Sequence, residues 1–199
     1  KVFIMKRLLL ILILTFSFQT LTKADDIRDF QIEGMSIGDS LLDYFDKNEI
    51  KKEYVFPNKK FATHYGVGSN FKVYEGYQIF YLTNDPNYII HYLSGKILYE
   101  NNTINKCYKK MYEVAEEMKD QITSAKYSDN GKQKNQIDKT GKSVGHNLFF
   151  NFNDGSEIAV SCLDNSKEMQ KEGTHTDNLS VNIRSKEFTK WLNTDEAYK

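Results

Sequence analysis

TINKCYKKMYEVAEEMKDQITSA, residues 103–125 of this 199-residue chain, is the stretch that decides the fold. Its apolar side chains recur at alternating spacings of three and four residues, which places them on one stripe of a helix. The stripe consists of Ile104, Cys107, Tyr108, Met111, Ala115, Met118, Ile122 and Ala125. The stretch therefore predicts a central helix from Thr103 to Ala125, with one buried side on which strands can close.

The chain before this helix predicts one helix and three strands. Ser36 and Asp39 form a capping pattern that begins the helix, which should end near Lys47. The segment from Glu53 to Gly68 reads as irregular. Alternating apolar residues then predict strands at Phe71–Leu82, Tyr88–Leu93 and Lys96–Glu100, with turns at Asn84–Asn87 and Ser94-Gly95.

The chain after the central helix begins with a polar stretch, Ser128–Gly145, which predicts a mobile surface loop. Strands follow at Leu148–Phe152, Glu157–Leu163 and Leu179–Ile183, with a tight turn at Asp154-Gly155, a polar loop at Asn165–Asp177 and a final helix beginning at Ser185. These elements predict an α+β fold. A mainly antiparallel sheet of about six strands in two units packs on one long central helix, with short N- and C-terminal helices.

Residues 1–24 have the composition of an N-terminal extension and a secretory signal. A basic start at residues 5–7 precedes an almost unbroken apolar run at residues 8–18, and small residues flank a cleavage position after Ala24. The alternative is a membrane anchor, but spanning a bilayer takes about 20 apolar residues. We expect a periplasmic or secreted protein, with one α+β domain at residues 25–199 and no transmembrane segment in the mature chain.

The charge balance argues against one class of partner. The chain has 27 basic and 27 acidic residues. Four of the basic residues and none of the acidic ones lie within residues 1–24, so the predicted mature chain has a formal charge of −4. Nucleic-acid binding ordinarily requires a basic surface, and we therefore expect none here.

Cys107 and Cys162 are the two cysteines of the chain. Cysteines of an exported protein usually pair, because the compartment is oxidising. We expect a disulfide between the central helix and a strand. The alternatives are a reactive thiolate at Cys107, whose pKa a helix N-terminus would lower, and two buried thiols.

Other chemical motifs are weak. Thr140-Gly141-Lys142-Ser143 resembles the end of a phosphate loop, but Gln136 stands where that motif requires glycine. His175 and Asp177 lie near Glu172 in a polar stretch that reads as a solvated loop. Without a helical histidine pair spaced for a metal, we expect no cofactor and no metal site.

Nucleophilic catalysis has one candidate. The sequence lacks the Gly-x-Ser-x-Gly elbow of serine hydrolases. Cys107 could still act with His146 or His91, because catalytic partners need be close only in space. A disulfide at Cys107 would remove this nucleophile.

Aromatic residues are concentrated in the first predicted strands. A sheet covered by one helix needs apolar residues on that face alone, so aromatic side chains on the other face must be covered or exposed. Tyr74, Phe80, Tyr88 and Tyr92 are the candidate binding face. The alternative is that the first or the last helix covers it.

Gly34-Met35-Ser36 and the amphipathic pattern after it resemble the start of the periplasmic modules of SmpA/OmlA outer-membrane assembly lipoproteins and of the repeats in β-lactamase inhibitor proteins. Those lipoproteins have a lipidated cysteine at the cleavage site and two helices before their sheet, and this chain matches neither feature. The whole chain also resembles small exported bacterial proteins of unknown function, which implies a class without an activity.

We therefore expect an exported, non-enzymatic binding or accessory module. Its partner would be a protein, an envelope component or a small ligand. The alternative is a small envelope hydrolase or thiol enzyme that uses Cys107 with a histidine. A third alternative, a purely structural envelope protein, would have no open aromatic face.

Overall fold

The computed structural model describes residues 25–67, 71–100, 103–135, 138–171 and 175–199. The strands are β1 (Phe61–Val67), β2 (Gly76–Leu82), β3 (Ile90–Tyr99), β4 (Ala125–Lys134), β5 (Val144–Phe152), β6 (Glu157–Asp164) and β7 (Asp177–Arg184). The helices are α1 (Ile104–Gln121), α2 (Lys167–Lys171) and α3 (Lys186–Leu192), with 3₁₀ turns at Ile27–Asp29, Leu41–Asp43 and Asp195–Tyr198. No helix in these ranges combines the length and apolar composition needed to cross a membrane.

All seven strands form one antiparallel sheet in the order β1-β2-β3-β7-β6-β5-β4. The prediction of about six strands in two units on a long central helix is therefore wrong, although the broad α+β class fits the arrangement. The reason is β7, which pairs with β3 on one side and β6 on the other. Because β7 satisfies its backbone groups on both sides, it joins the two predicted units into one sheet.

Both edge strands were predicted as non-strand. β1 lies within the segment predicted to be irregular, and most of β4 lies within the predicted mobile loop. An edge strand pairs on one side only and often carries polar residues, so its sequence gives a weak strand signal. The predicted turn at Ser94-Gly95 is also wrong, because β3 continues through it. The ring of Tyr74 packs so closely on Gly95 that a Cβ there would lie 2.6 Å from it.

The predicted first helix is replaced by irregular backbone and the 3₁₀ turn at Leu41–Asp43. The expected link between Ser36 and Asp39 does form, since the Ser36 N–H donates to the Asp39 carboxylate at 2.8 Å. Gly38 follows at a φ of +94°, a conformation that cannot continue a helix. The chain instead runs beside the start of β3, where the Gly38 N–H donates to the Ile90 carbonyl at 3.0 Å.

The larger core lies on the sheet face that α1 covers. α1 packs chiefly on β6 and β7 and buries Cys107, Met111 and Ala115. Because β6 and β7 lie inside the strand order, α1 covers the middle of the sheet and leaves both ends of this face to other segments. Residues 25–50 run over the rest of this face, from Phe30 against Phe152 of β5 to Ser40 beside Ile89, and contribute Ile27, Ile32, Met35, Ile37 and Leu41 to the same core.

A smaller aromatic cluster lies on the opposite face, under α3. It consists of Phe61, Phe80, Phe188, Trp191 and Ala197. Ser185 caps α3 as predicted, since its hydroxyl accepts from the Phe188 N–H at 3.1 Å. Beyond this cluster the face is polar: Asn182 accepts from the hydroxyls of Tyr92 and Ser94 at 2.8 and 2.9 Å.

Candidate functional site

A cleft that combines aromatic rings, a histidine and charged side chains opens beside β1 at the edge of the sheet. Its volume is about 500 Å³. Ligand pockets commonly fall between roughly 300 and 1,000 Å³. We call it the aromatic cleft, and define it by its lining residues Glu33, Met35, Tyr44, Phe45, Glu49, Lys51, His64, Tyr65, Gly66, Val67, Phe71 and Tyr77.

Aromatic rings pack against one another along the cleft. Phe45 meets His64 edge-on, with ring centroids 4.6 Å apart, and stacks on Tyr77 at 5.7 Å. Phe71 also packs against Tyr77, with ring centroids 5.2 Å apart. The rings support one another, so their exposed surfaces form a preorganised apolar site.

His64 is a buried side chain at the base of this cluster. Its Nδ1 atom accepts from the Lys51 backbone N–H at 3.2 Å. A backbone N–H only donates, so the ring is neutral and its proton is on Nε2. Burial lowers the pKa of His64, with the charge of Lys51 as the second cause and Glu49 opposing both. The imidazole therefore stays neutral at pH 7.

The position of this proton determines what Tyr77 can do. His64 Nε2–H donates to the Tyr77 hydroxyl oxygen, 3.1 Å away. Burial, then the charge of Glu49, raises the pKa of Tyr77, so its own proton is retained. That proton is available to a ligand. The hydroxyl of Tyr44, in contrast, already donates to Asp39 at 2.6 Å.

Glycine at position 66 makes room for the Tyr77 hydroxyl. A Cβ on Gly66 would lie 2.8 Å from that oxygen. Real Cβ atoms do not approach so closely, so any larger residue would displace the Tyr77 ring and disturb its bond to His64.

The carboxylates of the cleft already have donors within the protein. Glu33 accepts from the backbone N–H groups of residues 72, 73 and 74 at 2.9, 2.8 and 3.1 Å, which lower its pKa. Glu49 accepts from the Asp46 N–H at 3.0 Å, and Glu53, at the rim, accepts from the Tyr65 hydroxyl at 2.8 Å.

Lys51 differs from these carboxylates. Its ammonium lies 4.8 Å from the centre of the Tyr65 ring, in a cation–π contact. Within the described part of the chain it makes no ion pair. The cleft therefore offers an anionic group a cation that is not already neutralised.

The aromatic residues predicted from the sequence lie elsewhere. Tyr74 and Tyr88 pack on the larger core, and Tyr88 meets Tyr81 at 5.1 Å. Phe80 and Tyr92 lie on the opposite face, where α3 covers them; Phe80 is 4% exposed. Phe80 and Tyr92 meet edge-on at 5.2 Å, but Tyr74 and Tyr88 lie on the other face, and none of the four lines the aromatic cleft.

The residues of the cleft have only a partial signal in the sequence. Tyr77 lies in a predicted strand, whereas His64 lies in the segment predicted to be irregular. Phe45 lies in the first predicted helix, which does not form. The cleft forms where residues 33–51, which have no regular structure apart from one 3₁₀ turn, pass beside β1. The spacing of apolar residues in the sequence does not predict the path of such a segment.

Cys107 and Cys162 form a disulfide with a Cα–Cα distance of 6.0 Å, so neither cysteine is free. His146 is the β5 residue paired with Cys162. Its Nε2 lies 2.7 Å from an Asp129 oxygen, and the Tyr112 hydroxyl donates to the other oxygen of that carboxylate at 3.0 Å. His91 is placed elsewhere, beside Ser185.

The phosphate-loop-like segment is a tight turn. Asp138 accepts from the backbone and hydroxyl groups of both Thr140 and Ser143 at 2.6 to 2.9 Å. These bonds, above all that from the Ser143 hydroxyl, lower the pKa of Asp138. Gln136 and Glu172 lie outside the described residues. In the ranges that the structure does describe, no three His, Cys, Asp or Glu residues gather to hold a metal ion.

Three comparisons place these features against known proteins: no protein family, no curated protein and no solved structure matches this chain.

Proposed function

We propose that this chain is an exported, non-enzymatic accessory module that binds an apolar or aromatic group of a partner molecule in the aromatic cleft. The supporting observation is the cleft itself, about 500 Å³ in volume and lined by the packed rings of Phe45, Phe71 and Tyr77. Rings of this kind offer a large contact area at a low cost in side-chain entropy.

Polar groups in the cleft would orient the bound group. The Tyr77 hydroxyl retains a proton to donate, and Lys51 supplies a positive charge. A few polar groups within an apolar lining are the usual composition of a binding pocket. A thiol enzyme is not favoured, because the disulfide occupies the Cys107 sulfur that such an enzyme needs as a thiolate.

A titration with p-cresol, a small mimic of an aromatic side chain, tests this proposal. We expect NMR resonances of Phe45, His64 and Tyr77 to shift in a saturable way at millimolar p-cresol. Phe45→Ala should weaken the binding. Tyr198→Ala should not, because Tyr198 is an exposed ring outside the cleft.

The shifts are measured on the unmodified protein, so their location tests the proposal even if the Phe45 variant does not fold. Saturable shifts confined to cleft residues would support the proposal. Shifts elsewhere, or none up to the solubility of p-cresol, would overturn it.

A further inference from the structure

We infer that the partner of the aromatic cleft is an extended, acidic peptide segment that pairs as an added strand with Tyr65 and Val67 of β1. This inference rests on the proposed function, since the peptide would place its apolar side chain in the cleft. Strand addition to an open sheet edge is an established mode of peptide recognition.

The first step is the direction of the backbone groups of β1. In an antiparallel ladder the N–H and C=O of one residue point to the same side, and the side alternates along the strand. Thr63 exchanges both bonds with Glu53, at 2.8 and 3.2 Å, on the side away from β2. Tyr65 and Val67 lie two and four residues further on. Their backbone groups therefore also point outward.

The second step is that the protein's own cover stops at Thr63. Continued pairing would place Lys51 opposite Tyr65, but the Lys51 N–H donates to His64 Nδ1 instead. Within the described ranges, the outward groups of Tyr65 and Val67 have no backbone partner. The two residues are 42% and 82% exposed. This half of the edge can accept a strand.

The third step is that the cleft and the open edge are contiguous. Side chains alternate between the two faces of a sheet, so every second side chain of an added strand would point to the cleft side. On that side the neighbouring β1 residues are His64 and Gly66, with Tyr77 beside them. An apolar side chain from the peptide would meet these rings while its backbone pairs with β1.

The fourth step is charge complementarity. The cleft carboxylates of Glu33 and Glu49 already accept backbone N–H groups, whereas the Lys51 ammonium contacts the Tyr65 ring and makes no ion pair among the described residues. An acidic residue of the peptide would give Lys51 a carboxylate partner. For this reason the favoured segment alternates apolar and acidic residues on its cleft side.

The probe is the peptide acetyl-Thr-Glu-Val-Phe-Val-Glu-Thr-amide, which places Phe and both Glu side chains on one face. Two N-methylated forms provide matched controls: one is methylated at the amides of its odd residues and the other at those of its even residues. Only one set of amides can face β1, so we expect one form to bind about tenfold more weakly than the other by calorimetry. Equal affinities would overturn the inference.

Variants of Val67 test the hydrogen bond that its outward N–H would donate to a backbone carbonyl of the peptide. Val67→Pro removes the outward N–H without touching the β1–β2 ladder, and Val67→Ala keeps that N–H while it shortens the side chain. We expect Val67→Pro to weaken peptide binding by about tenfold and Val67→Ala by less than about threefold. Equal losses in both variants would contradict strand pairing.

The charge is tested with Lys51→Gln and a Gln-containing peptide. Each change alone should weaken binding by about fivefold, and the two together should add little, because they remove the same pair. Additive losses would show that Lys51 does not contact the acidic residues.

These outcomes are separable from those for the proposed function. Binding of p-cresol in the cleft with no difference between the two methylated peptides would leave the proposed function intact and overturn strand addition. No p-cresol binding would overturn the proposed function. Concentration-dependent dimerisation that Val67→Pro abolishes, without peptide binding, would identify a second copy as the occupant and reject the peptide.

Discussion

The two edges of the sheet differ in every feature that controls strand pairing. β4 carries Lys126, Asp129, Lys132 and Lys134, and its register breaks at a bulge where Gly131 has a φ of +65°. β1 reads FATHYGV, has no acidic residue, lysine or arginine, and pairs with β2 over seven residues without a shift. Charges and bulges are the usual means by which proteins keep an edge from pairing with another chain.

The comparison teaches where this protein is open to a partner. The β4 edge is closed by its own sequence. Among the residues that the structure describes, the β1 edge is closed only at Thr63, by Glu53, and its other half adjoins the aromatic cleft. A regular, uncharged edge beside a ring-lined cleft indicates that β1 is used for binding. We therefore expect variants near β4 to change the stability of the protein, and variants near β1 to change the affinity for the peptide.

The largest effect should come from the disulfide that ties α1 to β6, away from the β1 edge. Cys107→Ala together with Cys162→Ala removes a link across 55 residues. By chain entropy alone, this should lower the free energy of unfolding by about 4 kcal/mol. Urea unfolding measures it, with peptide affinity of the folded fraction as the control. A loss below about 1 kcal/mol would contradict the expectation.

A smaller loss of stability should follow Asp129→Asn. This change removes the charged partner of His146, which links the β4 bulge to β5. Because the Asp129 side chain is 35% exposed, solvent screening limits the expected cost to about 1 kcal/mol. Peptide affinity should stay within about twofold of the unmodified protein. A tenfold loss of affinity would mean that the two edges are coupled.

A pH effect should come from the open edge. Burial lowers the pKa of His64, so below about pH 6.5 the unfolded chain binds a proton that the folded chain does not. Stability should be steady above that pH and fall as the pH drops toward the lowered folded pKa. Lys51 and Glu49 are the charges that face this ring.

His64→Gln should flatten this fall, since its amide can still accept from the Lys51 N–H. Urea midpoints between pH 5 and 7 measure the slope. His91, also buried with a lowered pKa, contributes in the same direction, and His91→Gln is the matched control. An unchanged slope in His64→Gln would show that the imidazole is not held neutral.

The smallest change in stability should come from Val67→Glu, which gives β1 an acidic charge, as Asp129 gives β4, and repels the two glutamates of the probe. Val67 is exposed, so the free energy of unfolding should change by no more than about 0.5 kcal/mol. Peptide binding should nevertheless fall markedly. Retained binding together with unchanged stability would argue that the β1 edge is not the site.

Sequence reasoning was most successful where one element signals its own structure. The 103–125 stripe predicts α1, whose bounds are Ile104–Gln121, and the Asp154-Gly155 turn predicts the β5–β6 hairpin. The disulfide partners follow from there being two cysteines in a chain predicted to be exported. In each case the prediction rests on local residue spacing or on composition, and it does not depend on how distant strands pair.

The rest depends on long-range pairing. β1 and β4 carry weak patterns because each pairs on one side only, and the merger into one sheet depends on β7 lying between β3 and β6. The aromatic cleft depends on the path of an irregular segment over β1. Tyr74 and Phe80 are six residues apart and would share a face of one continuous strand, but β2 begins only at Gly76, so Tyr74 packs on the larger core and Phe80 on the opposite face. None of these arrangements produces a regular spacing of apolar residues from which it could be predicted.

Hydrogen exchange at the amides of Tyr65 and Val67, with and without the probe peptide, tests the central claim most directly. In the free protein both amides should exchange rapidly, while amides paired within the β1–β2 ladder are protected. A saturating amount of peptide should protect Tyr65 and Val67, and should leave the β4 amide of Lys126 unchanged. Amides already protected in the free protein, or still unprotected when the peptide is bound, would contradict an open edge that pairs with its partner.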